Sequence, residues 1–367
     1  MRPFRIARVL GVDVIGDMSL VALGVLLSWV IYLELRLPSS AASSNEALIG
    51  ATIGGILFLL TVFAHEVSHT AVAQRRGVVV KQIRLMIFGG ASDIEDGEMT
   101  PQTELAVAIV GPITSAVLGG VLLALSGVLS GSAALGGALR FVGAANLVLA
   151  VFNLMPGLPL DGGRVLRSVL WRRSGDRDRA TGTALKVGRF VGIALIGLGG
   201  FVTLRTGATL GIWVVLVGWF LMRMAAASTR THHLEAATRG RNVGQLMRPI
   251  TESVPGSMSI ADAIDMFQIG PRLRTLVVSV EDRIVGILGQ LEVDRVEAVA
   301  RSTTTVASAM TRIGPADVVD VNTTLIEALQ REAGAARHIV ATSEGRVVGL
   351  IGHAEIAELL RFENPNG

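Results

Sequence analysis

In this chain of 367 residues, the segment whose residue types and spacing could do chemistry is His65-Glu66-Val67-Ser68-His69. Residues four apart on a helix share one face, one turn apart, so both imidazoles can reach a single metal ion. Glu66 stands beside them, where it can take a proton from water activated at such a metal. Three ionisable groups near the end of an apolar helix are costly unless a metal or a partner compensates them. The plainer alternative is two interfacial histidines and a snorkelling carboxylate.

A catalytic zinc site needs a third protein ligand and an open position for water. The chain has six histidines and no cysteine. Disulfides, thiolate ligands and a cysteine nucleophile are therefore excluded. His232, His233, His338 and His353 all fall in the C-terminal part. The third ligand is then expected to be a carboxylate of the apolar part, unless a remote histidine is recruited. Asp161 is the best candidate. It ends the run Asn153-Leu154-Met155-Pro156-Gly157-Leu158-Pro159-Leu160-Asp161, and Gly162-Gly163 follow it. Prolines and glycines there break the helix and let backbone approach the site closely. Read alone, Asp161 would be a surface aspartate that stops a helix.

These groups must be positioned by membrane-spanning helices. Half of the residues are hydrophobic and 17% are charged, against about 25% in ordinary soluble proteins. Six apolar runs, near 18–34, 47–70, 104–129, 134–155, 184–204 and 208–225, are long enough to cross a bilayer. Arg2, Arg5 and Arg8 precede the first; Arg75, Arg76, Lys81 and Arg84 follow the second. Arg164, Arg167, Arg172, Arg173 and Arg177 follow the fourth, and Arg223 and Arg230 the sixth. The intervening loops are poor in positive charge, so both termini are expected in the cytoplasm of a multi-pass plasma-membrane protein. The second and fourth runs then point the same way, which puts His65, His69 and Asp161 at similar depth. The net charge of +3 is small and its arginines cluster at span ends, a topology signal that points away from a nucleic-acid partner. The basic start, an interrupted segment and a full-length span do not read as a cleavable signal peptide.

Residues 78–97, opening with Val78-Val79-Val80, read either as a short hairpin at the membrane surface or as an ordinary loop. Residues 226–242 read as a linker. Beyond it the sequence repeats: Val243 to Met247 returns as Val306 to Met310, and Arg283-Ile284-Val285-Gly286 as Arg346-Val347-Val348-Gly349. The expected organisation is a membrane domain over 1–225 and a duplicated α/β module over 243–302 and 303–367.

His65 to His69 on one span, with Asn153, Pro156 and Asp161-Gly162 after a later one, resembles the site-2 protease family, the intramembrane zinc metalloproteases of peptidase family M50. Gly111-Pro112 and Phe88-Gly89-Gly90 are weaker family-like features. The resemblance covers about 1–225. It implies an α-helical polytopic fold with small membrane-associated hairpins, one zinc ion on His65, His69 and Asp161, and Glu66 as catalytic base. It also implies that Asn153 holds the substrate backbone or its oxyanion, and that the substrate is a transmembrane protein cut within the lipid bilayer. Ser115 departs from the asparagine often found after the Gly-Pro of relatives, which removes an expected substrate contact.

The duplicated module resembles a tandem pair of cystathionine-β-synthase (CBS) domains, as in one branch of that family. Such pairs bind adenine nucleotides through a pattern that falls here on Gly286 and Glu292 and on Gly349 and Glu355. Both repeats lack its hydroxyl residue and carry Glu for Asp. The module is either a nucleotide sensor or a regulatory docking unit that forms a homodimer. Two rival readings are a channel or transporter gated by CBS domains, with polar residues spread along several spans, and an inactive scaffold, which would not require Glu66.

Overall fold

A computed structural model describes residues 4–37, 42–86, 89–94, 99–129, 131–207, 209–266, 275–281, 283–332 and 338–352. The chain divides into two compact units, Met1–Thr229 and Arg230–Gly367.

The first unit opens with a hairpin, β1 (Phe4–Val9) and β2 (Val12–Gly16). Its two-residue turn, Leu10-Gly11, has φ values of 54° and 77°. Positive φ at both positions is the type I′ geometry that matches strand twist. β2 pairs in parallel with β3 (Val80–Met86), Asp13 opposite Gln82, and β3 pairs antiparallel with β4 (Gly89–Ile94). The hairpin reading of 78–97 therefore holds for its described residues, within a larger sheet ordered β1-β2-β3-β4. Val12, Val14, Val78, Ile83 and Leu85 pack with Ala73 and Val107 in one apolar cluster. Burial of these side chains ties the sheet to the two helices that frame the candidate site.

The helices are α1 (Met18–Leu35), α2 (Ser44–Arg75), α3 (Pro101–Val128), α4 (Ala133–Asn153), α5 (Asp161–Ser174), α6 (Arg177–Thr206) and α7 (Thr209–Thr238). All but α5 contain a stretch long and apolar enough to cross a membrane, and the six lie where the sequence places its six runs. Their starts are capped as sequence rules lead one to expect. Ser43 and Glu46 form a reciprocal capping box on α2, Thr100 with Pro101 begins α3, and Asp176 caps α6. Large apolar side chains face outward, among them Trp29, Phe190 and Leu204, as lipid requires and water would not. Where α3 crosses α4, a Cβ added at Gly119 would lie 2.8 Å from the Gly143 carbonyl oxygen, so only glycine permits that approach. Residues 226–238, read as linker, instead continue α7. Their Ala content favours helix over loop.

In the second unit the repeats are visible as two four-stranded sheets. One holds Ser253–Pro255, Leu276–Val280, Arg283–Leu288 and Thr311–Arg312. The other holds Val318–Asp320, Ile339–Ser343, Arg346–Ile351 and Arg248–Pro249. The fourth strand of each sheet comes from the chain segment that opens the other repeat. The structural modules are thus not the contiguous stretches 243–302 and 303–367. Strand exchange is invisible to an alignment of the repeats, because both copies make the same swap.

Candidate metal centre

α2 carries His65 and His69 one turn apart, both buried. Their Nε2 atoms stand 3.2 Å apart. The chain then leaves α4 at Asn153, crosses the Pro- and Gly-rich segment and enters α5 with Asp161 as its first residue. Asp161 Oδ2 lies 3.3 Å from His65 Nε2 and 3.4 Å from His69 Nε2. Among the described residues these three form the one His/Asp/Glu group able to hold a metal ion. Zinc bonds of about 2.0–2.1 Å at tetrahedral angles put ligand atoms about 3.3 Å apart, so the three atoms already stand at the edges of such a site.

Orientation supports the same fit. His69 Nδ1 lies 2.7 Å from the carbonyl oxygen of Val107. A carbonyl only accepts, so the proton is on Nδ1 and the Nε2 lone pair faces the centre. His65 Nδ1 lies 2.9 Å from Ser115 Oγ. Asp161 Oδ2 faces the two Nε2 atoms and completes the donor set with an oxygen, and a carboxylate ligates in its ionised form.

α3 is shaped to admit both rings. A Cβ on Gly111 would lie 2.7 Å from His65 Nε2 and nearer still to His69. The loop into α5 is equally tight: a Cβ on Gly162 or Gly163 would strike the backbone of 154–158. Glu66 is buried beside its two neighbours on α2. Asn153, the last residue of α4, is partly buried, and among the described residues no hydrogen bond engages its amide.

Sequence reasoning missed two features. Ser115 was read through the substrate contact it fails to supply, whereas it is fully buried against His65. Glu104 of α3, also fully buried, accepts from Arg167 of α5 at 2.7 Å through Nε and again through its guanidinium NH2. No short-range pattern announces either, because partners 50 and 63 residues away carry them.

The nucleotide positions in the second unit are differently employed. Glu292 is buried; its carboxylate accepts from the Gly289 N–H at 2.9 Å and from the Thr311 hydroxyl at 2.9 Å. Gly286 and Gly349 make room for methionines, Met310 against the first and Met247 against the second. These residues do not offer a ribose a free carboxylate. Glu355 lies outside the described residues, as do His353 and Phe88. His338, the described histidine of the second unit beyond α7, pairs with Thr275 at 3.0 Å.

Comparison with known proteins places these observations. The family description "Peptidase family M50" matches residues 53–139 and 130–198, and "CBS domain" matches 243–296. The chain is 31% identical over 320 residues to "Putative zinc metalloprotease Rip3" of Mycobacterium tuberculosis, covering 85% of this chain and 81% of that one. It is 32% identical over 330 residues to "Putative zinc metalloprotease sll0528" of Synechocystis, covering 87% and 85%. Among solved structures, the "Site-2 Protease from Methanocaldococcus jannaschii" aligns with a TM-score of 0.43 at 23% identity, covering 62% of this chain and 94% of that one.

Proposed function

Because the chain belongs to peptidase family M50, and is a zinc metalloendopeptidase of the site-2 protease type with membrane-spanning helices and a CBS domain, we propose that His65, His69 and Asp161 hold one catalytic zinc ion. On this reading Glu66 is the general base, Asn153 a substrate-binding amide, and the reaction hydrolysis of a peptide bond in a membrane-spanning protein. The observation that carries it is the convergence of three ligand atoms to within 3.2–3.4 Å, with the proton of His69 already turned away.

Zinc bound there supplies Lewis acidity toward the scissile carbonyl and makes an adjacent water acidic enough to attack at neutral pH. Glu66 takes that water's proton and returns it to the leaving nitrogen, which requires only a carboxylate next to the ligand pair. The Asn153 side-chain N–H groups, without a hydrogen bond among the described residues, suit the oxygen on which negative charge develops. A substrate helix must unwind to expose its peptide bond, since helical peptide groups are shielded by their own hydrogen bonds. β4 is an edge strand, and its backbone suits pairing with the unwound segment; full cleavage after loss of that edge would argue against this part.

The arginine clusters support an orientation with both termini in the cytoplasm and the site near that face, where water is close. Cleavage there amounts to regulated intramembrane proteolysis, with the CBS pair as a regulatory or dimerising module. The decisive test compares zinc content and cleavage of a transmembrane peptide for wild type and Glu66→Gln. About one zinc in each, with cleavage lowered about 10²–10⁴-fold in the variant, is expected. Cleavage indifferent to Glu66 would remove the mechanism.

A further inference from the structure

We infer that Ser115 is a positioning residue of the metal centre: it holds His65 in the tautomer and ring orientation that bind the metal. This rests on the reading of His65, His69 and Asp161 as the ligands. The argument begins with spacing on α3. Val107, Gly111 and Ser115 stand four residues apart, so they form one stripe. The Val107 carbonyl accepts from His69 Nδ1; the bare Cα of Gly111 lies against both rings; Ser115 Oγ meets His65 Nδ1 at 2.9 Å.

α3 and α2 run antiparallel along this contact, since the earlier α3 residue meets the later histidine. One turn between the histidines is matched by two turns between their partners. Each imidazole thereby has its Nδ1 tied to α3 and its Nε2 turned to Asp161. The backbone supplies the acceptor for His69. Among the described residues it is the Ser115 hydroxyl, able to accept as well as donate, that stands within reach of the His65 Nδ1 proton. An imidazole lacking an acceptor at Nδ1 populates its other tautomer, in which Nε2 carries the proton and cannot ligate.

Burial separates this role from substrate contact. Ser115 has no exposed surface, and the face that buries it is the one packed against His65. A substrate chain that touched it would first have to displace a ligand. The hydroxyl therefore acts through the imidazole.

The experiment uses the full chain in detergent, stripped of zinc by a chelator. Zinc affinity is read by competition with a chromogenic chelator, and kcat and KM for a transmembrane peptide are read at saturating zinc. Ser115→Thr and Ser115→Val have the same shape and differ by the hydroxyl, so any packing cost is common to both. Ser115→Val, and likewise Ser115→Ala, is expected to bind zinc about 10–100-fold more weakly. Ser115→Thr should stay close to the wild type, and KM at saturating zinc should not move in any of them. Equal zinc affinity of the Thr and Val variants overturns the inference while leaving the metal reading intact. So does a raised KM with zinc affinity unchanged, which would make Ser115 a substrate contact. A wild-type chain that binds no zinc overturns the metal reading itself and this inference with it.

Discussion

Asp161 and Glu292 are both acidic residues in the first turn of a short helix, and they end up doing opposite things. Glu292 is satisfied at home. It accepts from an N–H three residues earlier and a hydroxyl 19 residues later, so it is a helix cap and a strand tie. Among the described residues Asp161 has no such local partner; it faces two imidazoles of a helix that ended 86 residues earlier, at Arg75. Desolvating a carboxylate is costly, and the fold can offset that cost with a neighbour of its own turn or with a distant group of matching charge. In the first case the residue is structure. In the second, when the distant groups are titratable and themselves oriented, it becomes a site.

The largest expected effect is at Asp161. Asp161→Ala should reduce zinc from about one per chain to background and abolish cleavage, with helix content by circular dichroism unchanged. Zinc retained at full stoichiometry would mean that another group is the third ligand, and the contrast with Glu292 would lose one side. Gly111→Ala should do nearly the same from the opposite wall. A methyl group placed against both Nε2 atoms forces the rings apart, and zinc affinity should fall at least about tenfold. An alanine variant with normal affinity would show that α3 yields, and that the site is less tightly walled than these distances indicate.

Glu104 is the intermediate case. Its partner Arg167 is as remote as a ligand's would be, yet it is an arginine, permanently charged and no metal ligand. The pair locks α3 to α5, the helix that Asp161 begins. Glu104→Gln leaves a mostly buried guanidinium without its charge partner, and should cost about 3–5 kcal/mol in detergent unfolding. Glu104→Gln combined with Arg167→Met should recover most of that loss. If the single variant is as stable as the wild type, remoteness of partners does not distinguish structural from functional carboxylates as sharply as the comparison asserts.

What the sequence discloses follows the same division between local and remote. His65 and His69 are readable because a helix turn makes four residues a contact. The six spans are readable because lipid demands long apolar runs. Asp161 is reached by elimination, since no cysteine and no further histidine stand in the apolar part. The parallel pairing of β2 with β3 is different. Asp13 meets Gln82 across a whole helix pair, and nothing within either segment encodes it. The β1–β2 hairpin had a signal, a two-residue Leu10-Gly11 turn, but Leu is a poor residue for positive φ and the turn passes unread. The α3 stripe hid inside an apolar run for the same reason: Ser115 and Gly111 look like ordinary small residues of a packed span until α2 is laid against them. Residues 226–238 resembled a linker because their polarity rises, although polarity ends a membrane span without ending a helix.

Glu292 carries the smallest effect and the sharpest check on the other side. As a cap and tie, it should contribute stability to the second unit and nothing to catalysis. Glu292→Ala removes the acceptor for the Gly289 N–H and for the Thr311 hydroxyl, a loss of about 1–2 kcal/mol. Thermal unfolding should register a lower midpoint for this variant, while zinc content and peptide cleavage match the wild type. Titration with AMP or ATP provides the discriminating arm. A structural carboxylate predicts the same calorimetric trace for the wild type and for Glu292→Ala measured well below its unfolding midpoint. If the wild type instead binds nucleotide and the stable variant does not, Glu292 exchanges its internal partners for a ligand. A locally satisfied carboxylate would then be able to serve as a site after all.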